Sequence, residues 1–144
     1  MEHQGSYRGF KELNCWQKGR ELRMMISKLT KTFPGDERYA PASQITRSVR
    51  SINANIAEGY GRYTYTDTRR FFILARGSAT ETIDHLCVAH EERYIEDHTF
   101  HDIEQQCGTV IKLINGYIAY LDKANNEKNK RQLSDDQQPI PNSQ

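Results

Sequence analysis

Apolar residues recur at spacings of three and four in four separate segments of the chain. The four stripes are Trp16, Gly19, Leu22, Ile26, Leu29 and Phe33; Ile45, Val49, Ile52 and Ile56; Phe72, Ala75, Ala79, Thr82, Leu86 and Ala89; and Ile103, Cys107, Val110, Ile114, Tyr117 and Leu121. This spacing places each stripe along one face of an α-helix. No segment alternates with period two over the length of a strand, so the sequence predicts an all-α protein.

Residues that end or begin helices separate the four stripes. Pro34 and Gly35 end the first helix, and Pro41 suits the first turn of the second. We expect Gly59 and Gly61 to close the second helix in the left-handed conformation. Thr64-x-x-Asp67 predicts a capped start for the third helix.

Short connections between long helices favour antiparallel neighbours, and Tyr94 to Asp97 predicts such a turn before the fourth helix. The expected fold is therefore an up-down-up-down four-helix bundle. Phe71, Ile73 and Leu74 fall outside the main stripe of the third helix, which predicts a second burial surface and an oligomer. A broad apolar face within one small bundle is the alternative.

A chain of 144 residues suits one domain. We expect an N-terminal extension over residues 1–12 and the bundle over residues 13–122. Residues 123–144 contain few apolar side chains, so the sequence predicts a polar, disordered tail.

The sequence contains no recognisable catalytic motif or set of metal ligands. No histidine follows a glutamate by three residues, as di-metal helical bundles require, and His98-x-x-His101 with Asp102 lacks further ligands. Gly59-x-Gly61 is no nucleotide-binding loop, because the third glycine and the preceding strand are missing. We therefore expect no enzymatic activity and no cofactor. Three scattered cysteines, no signal sequence and no membrane segment predict a cytoplasmic protein.

Charge is unevenly distributed along the chain. Residues 1–76 hold 14 Lys and Arg against 7 Asp and Glu, a net +7, whereas residues 77–144 hold 6 against 12, a net −6. This asymmetry fits a dipolar monomer whose halves attract one another. It equally fits a basic face for nucleic acid, or charge-complementary subunit contacts.

A run of basic and aromatic residues follows the second helix. The candidate nucleic-acid-binding residues are Arg47, Arg50, Arg62, Tyr63, Tyr65, Arg69, Arg70 and Arg76. Arginines can contact phosphates, and exposed aromatic rings can stack on unpaired bases. The competing interpretation is that these arginines cover helix ends and pair with acids of a neighbouring subunit. A second basic strip is interpreted as an ordinary solvated surface: Lys18, Arg20, Arg23, Lys28 and Lys31.

Two blocks resemble the signature of a four-helix-bundle family encoded in intervening sequences of 23S ribosomal RNA genes. These blocks are SQITRSVRSINANIAEGYGR, residues 43–62, and RRFFILARGSATET, residues 69–82. The resemblance covers about residues 8–122. The residues that carry the structural signature are Trp16, Asn55, Glu58, Gly59, Gly61, Gly77 and Ser78. The sequence departs from the family pattern at Asn53, where proline is usual, and at Pro41, where leucine is usual.

The resemblance implies a small helical bundle that assembles into a ring, as a homo-oligomer of five copies, without enzymatic activity. A related branch implies further partners, namely RNA or DNA and a reverse-transcriptase-like protein or ribonucleoprotein. The predicted function is non-catalytic binding of nucleic acid or a ribonucleoprotein through the second and third helices. The alternative is a protein–protein adaptor that binds no nucleic acid. We interpret Asn55 as fixing helix register or a subunit contact, and Glu58 as a partner for Arg62 or for a neighbouring subunit.

Overall fold

The computed structural model describes residues 7–35 and 39–137 and contains four α-helices and no strand within them. A short 3-10 helix, Gly9–Glu12, precedes the bundle. The helices are α1 (Asn14–Thr30), α2 (Tyr39–Tyr60), α3 (Tyr65–Glu91) and α4 (Asp97–Asp136). The all-α four-helix prediction is confirmed.

Each helix packs against the helices next to it in the chain, and α1 also packs against α4. The core between them contains the four predicted stripes, of which Leu22, Ile52, Phe72 and Ile114 are fully buried, together with Cys15, Ile95 and Phe100. Trp16 and Tyr117 are the exceptions, because both are only partly buried against this core. The periodicity of the sequence therefore identifies the helix faces that meet.

Hydroxyl groups connect α2 to α3 inside the bundle. The Oγ atom of Ser48 lies 2.9 Å from Oγ1 of Thr82, and both side chains are fully buried. One turn further along α2, the Oγ atom of Ser51 lies 2.9 Å from Oγ of Ser78. Buried hydroxyls without partners would be costly, so the two pairs favour a single register between these helices.

Gly59 lies inside α2 and is buried against α3. A Cβ atom there would lie 2.8 Å from Cβ of Phe71 and 3.1 Å from the carbonyl oxygen of Thr68. The predicted left-handed conformation is wrong for Gly59 and Gly61, since the only described glycine with positive φ is Gly9. Gly59 is required for close helix packing rather than for a turn.

Asn53 connects α2 to α1 at a point where the family pattern has proline. Its side chain is 3% exposed, and its Nδ2 atom donates to the backbone oxygen of Trp16 at 3.2 Å. Its Oδ1 atom faces Gly19 and has no hydrogen-bond partner in the part of the chain that the structure describes. A larger residue than glycine at position 19 would collide with this amide.

The predicted helix boundaries agree with the structure at three connections. The Oγ1 atom of Thr64 accepts a hydrogen bond from the backbone N–H of Asp67 at 3.1 Å, which confirms the capped start of α3. α1 ends three residues before Phe33, and α3 and α4 are joined by a turn over residues 92–96. Arg93 has a φ of 63° in this turn.

The end of the chain differs from the expected disordered tail. α4 continues without interruption to Asp136, well beyond Leu121, its last buried residue. Residues 123–136 contain neither glycine nor proline, and Glu127 precedes Arg131 by the four residues that favour a helical ion pair. Low hydrophobicity therefore does not prevent helix formation here. Residues 1–6 of the predicted extension and residues 138–144 of the predicted tail lie outside the described residues.

Replacing Gly59 should test the packing between α2 and α3. Gly59→Ala introduces a methyl group that Phe71 and the Thr68 carbonyl leave no room for, so we expect the free energy of unfolding to fall by about 1–3 kcal/mol. Gly108→Ala is the matched control in α4. No atom lies within 4 Å of the added methyl group, and we expect an increase of about 0.5–1 kcal/mol. Urea denaturation measures both; equal effects of the two variants would contradict this account.

Candidate nucleic-acid interface

The corner between α2 and α3 is held together by ion pairs. We use the term corner cluster for Arg62, Tyr63, Tyr65, Arg69 and Arg70. Arg62 donates to Oε1 of Glu58 at 2.6 Å, and its Nε atom lies 3.7 Å from Oδ2 of Asp67. Arg70 donates to Oδ1 of the same aspartate at 3.1 Å. Asp67 thus lies between two guanidinium groups.

The same two arginines cover the ring of Phe71. The guanidinium carbons of Arg62 and Arg70 each lie 4.5 Å from its centroid, the distance of a cation–π contact. Tyr63 is fully exposed in the turn beside them, whereas Tyr65 packs partly buried against the core. Tyr63 is therefore the aromatic side chain of this cluster that is free to stack on a base.

Arg69, the third arginine of the corner cluster, reaches α4. Its Nε atom donates to Oδ1 of Asp122 at 2.7 Å. The corner has no formal net charge, because its three arginines are matched by the carboxylates of Glu58, Asp67 and Asp122. Exposed pairs of this kind contribute at most about 1 kcal/mol each, but their cancelling charges remove the long-range attraction for a polyanion.

Arg47 is also paired within the chain. Its Nη2 atom donates to Oε1 of Glu81 at 2.8 Å, and Nε2 of His85 lies 3.2 Å from the same oxygen. The hydrogen bond with His85, followed by that with Arg47, lowers the pKa of Glu81, while desolvation opposes the shift. Arg50 and Arg76, by contrast, are exposed and form no ion pair with any described acid.

One group of unpaired positive charges lies between α1 and α2. We use the term basic face for Arg20, Arg23, Lys31 and Arg50. Arg23, Lys31 and Arg50 line one groove between the two helices, and Arg20 lies three residues before Arg23 on α1. None of the four forms an ion pair with an acid in the described ranges. The structure thus places Arg50 close to Arg23 and Lys31. From the sequence alone, these two residues are interpreted as part of an ordinary solvated surface.

A larger groove borders the same half of α1 on its side toward α3 and α4, and it has mixed charge. It has a volume of about 1040 Å³ and is bordered by the end of α1 and by the turn between α3 and α4. Lys28 and Arg93 line it together with Glu96, Asp97 and Asp102. Because acids and bases alternate around it, this groove does not offer the positive surface that phosphates require.

Several signature residues have contacts inside the chain. Asn55 donates from Nδ2 to the backbone oxygen of Ser51 at 2.9 Å, and Ser78 contacts the hydroxyl of the same Ser51. Gly61 donates its backbone N–H to the end of α2. Gly77 is different: it is exposed, and no atom lies within 4 Å of the position that a Cβ atom would occupy.

The cysteines are not activated nucleophiles. Burial raises the pKa of Cys15 to about 11 and that of Cys107 to about 12, so both thiols are protonated at neutral pH. Desolvation also raises the pKa of Cys87. Across residues 7–35 and 39–137, no group of three or more His, Cys, Asp or Glu side chains is arranged to hold a metal ion.

Some residues of this surface could not be selected from the sequence. Asp122 lies 53 residues from its partner Arg69, and no local pattern connects them. Arg23 and Lys31 belong to a strip with ordinary helical spacing, and only the packing of α1 against α2 brings them to Arg50. Asn53 did carry a signal, because it follows Val49 by four residues and precedes Ile56 by three.

The fold and the sequence together define a class of small, all-α, four-helix bundles. A family model described as 23S rRNA-intervening sequence protein matches residues 11–116, and the chain belongs to this family. One similar solved structure is a protein of unknown function from the S23 ribosomal protein family of Bacteroides thetaiotaomicron. It shares 26% sequence identity, with a TM-score of 0.67 over 72% of this chain and 97% of that chain. No curated protein matches the sequence.

Crossing a bilayer requires a long and predominantly apolar helix. Among the described helices, none combines the necessary length with sufficient apolar character.

Proposed function

We propose that this chain is a non-catalytic nucleic-acid-binding protein whose basic face contacts backbone phosphates. The observation that supports this proposal is the unpaired charge of Arg20, Arg23, Lys31 and Arg50 on neighbouring helices. Phosphate contacts of lysine and arginine supply most of the sequence-independent affinity for nucleic acid. The sequence predicted that nucleic acid contacts α2 and α3. We place the contact on α1 and α2 instead, because neighbouring carboxylates neutralise the arginines of the corner cluster.

The proposal includes no chemical step. Raised pKa values keep the cysteine thiols protonated, so they offer no nucleophile at neutral pH. Three free cysteines suit a reducing compartment, and we place the protein in the cytoplasm. RNA is the first probe to use, because the family description refers to an intervening sequence of 23S rRNA.

Removing charge from the basic face should weaken binding of single-stranded RNA. We expect Arg20→Gln with Arg50→Gln to lower the affinity about tenfold and to reduce the slope of log K against log salt by about 1.4, for two lost phosphate contacts. Lys28→Gln with Lys112→Gln removes the same charge elsewhere and should have little effect. Fluorescence anisotropy at several salt concentrations measures both. Equal losses in the two double variants, or no binding by the wild type, would refute the proposal.

Self-association is a second candidate function, supported by exposed apolar side chains on α3. Ile73, Leu74 and Val88 are 42%, 48% and 46% exposed, and Gly77 lies beside them without a neighbouring atom. A second copy of the chain could cover these side chains at close approach. A ring of five copies, or an adaptor that holds another protein, would use such a surface.

Acidic substitutions on α3 should test self-association. The wild type should show a mass several times the 16.8 kDa of one chain by light scattering. Ile73→Glu with Leu74→Glu should reduce it to a single chain, because a desolvated carboxylate opposes apolar contact. Leu133→Glu, at an exposed apolar residue near the end of α4, should leave the mass unchanged. A wild type that already has the mass of one chain would exclude this function.

A further inference from the structure

A groove of about 330 Å³ lies between α1 and α2 within the basic face. Its base is apolar, because Ile26 and Val49 line it and are almost completely buried. Arg23 contributes from α1, Lys31 from the position that follows α1, and Arg50 from α2. Three positively charged side chains therefore surround a small concave surface with an apolar base.

No negative charge of the described chain balances these groups. No aspartate or glutamate lines the groove, and neither Arg23 nor Arg50 donates to any acceptor among the residues that the structure describes. Arg23 is also half-buried, and its guanidinium forms no ion pair with a described acid. Like charges that converge on one groove repel one another, and a bound anion would relieve this repulsion.

Hydroxyl groups supply further donors at the same place. Ser27 and Thr46 line the groove from opposite helices, and their side chains make no hydrogen bond to another described residue. Thr30 lies beside them, although its hydroxyl donates to the backbone oxygen of Ser27 at 3.2 Å. The groove thus combines guanidinium, ammonium and hydroxyl donors and contains no carboxylate acceptor.

We propose that this groove is a binding site for one phosphate group, held by Arg23, Arg50 and Lys31. Guanidinium groups donate pairs of hydrogen bonds that match the oxygens of a phosphate, and hydroxyls can complete its tetrahedral coordination. A phosphodiester of a nucleic-acid strand and free inorganic phosphate share this chemistry. The proposal rests on the proposed function where the phosphate belongs to RNA, but binding of inorganic phosphate does not depend on it.

Titration with inorganic phosphate tests the site without RNA. The probe is potassium phosphate against potassium chloride at equal ionic strength, followed by NMR of the arginine Nε–H resonances. We expect saturable shifts of Arg23 and Arg50, with an affinity at least about tenfold lower in Arg23→Gln with Arg50→Gln. Lys28→Gln with Lys112→Gln removes the same charge outside the groove and should bind phosphate as the wild type does. No saturable shift in the wild type, or equal losses in both double variants, would overturn the proposal.

Folding of the variants is controlled separately. Arg50 is exposed, so Arg50→Gln alone leaves the core intact and should still weaken phosphate binding. Arg50→Lys keeps the charge but not the paired donors, and we expect an intermediate affinity. Circular dichroism of each variant should match that of the wild type. If Arg50→Gln folds normally and binds phosphate with unchanged affinity, the assignment of Arg50 is wrong.

Binding of single-stranded RNA by double variants is the second measurement. Arg23→Gln with Arg50→Gln should lower RNA affinity more than Arg20→Gln with Lys28→Gln, because only the first pair removes the phosphate site. If both double variants lower RNA affinity equally and the wild type does not bind phosphate, the groove is not a phosphate site. The proposed function would then still hold. Phosphate binding at the groove with no RNA binding would support the site for free phosphate and refute the proposed function.

Discussion

Close contact between α2 and α3 fixes the relative position of these two helices. Gly59 allows the backbone of α2 to approach Phe71 and Thr68, and a Cβ atom at this position would lie only 2.8 Å from Cβ of Phe71. Further along the same contact, buried Ser48 meets Thr82 with 2.9 Å between their hydroxyl oxygens. Small and hydroxyl-bearing side chains thus replace a purely apolar contact, and buried hydroxyls must find partners, so they favour one register. The fixed register also places Arg62, just after α2, with its Nε atom 3.7 Å from Oδ2 of Asp67 in α3.

Arginines in this protein serve two different purposes, and the distinction depends on their neighbours. Arg62, Arg69 and Arg70 are each paired with a carboxylate, and the pair of Arg69 with Asp122 connects α3 to α4. Arg23 and Arg50 have no such partner among the described residues and line a groove with Lys31. A count of basic residues along the sequence treats both groups alike. Only the second group retains the unbalanced charge that attracts a polyanion.

The sequence predicted the helices better than it predicted the surface. Spacings of three and four identify the buried faces, and Thr64-x-x-Asp67 identifies the start of α3, because both signals are local. The packing of Gly59 and the pairing of Arg69 with Asp122 depend on residues that are distant in the chain, so no local pattern reveals them. The prediction of a disordered tail relied on low hydrophobicity, whereas α4 continues to Asp136 through residues that tolerate an exposed helix.

We propose that nucleic acid contacts α1 and α2 rather than the corner between α2 and α3. Backbone amide NMR spectra recorded during titration with single-stranded RNA distinguish these two surfaces, because they report every part of the surface in one experiment. We expect the largest shifts around Arg23 and Arg50, which decrease as salt is added, and only small shifts from Arg62 to Arg70. Shifts concentrated at Arg62 to Arg70, or no shifts at all, would contradict the account.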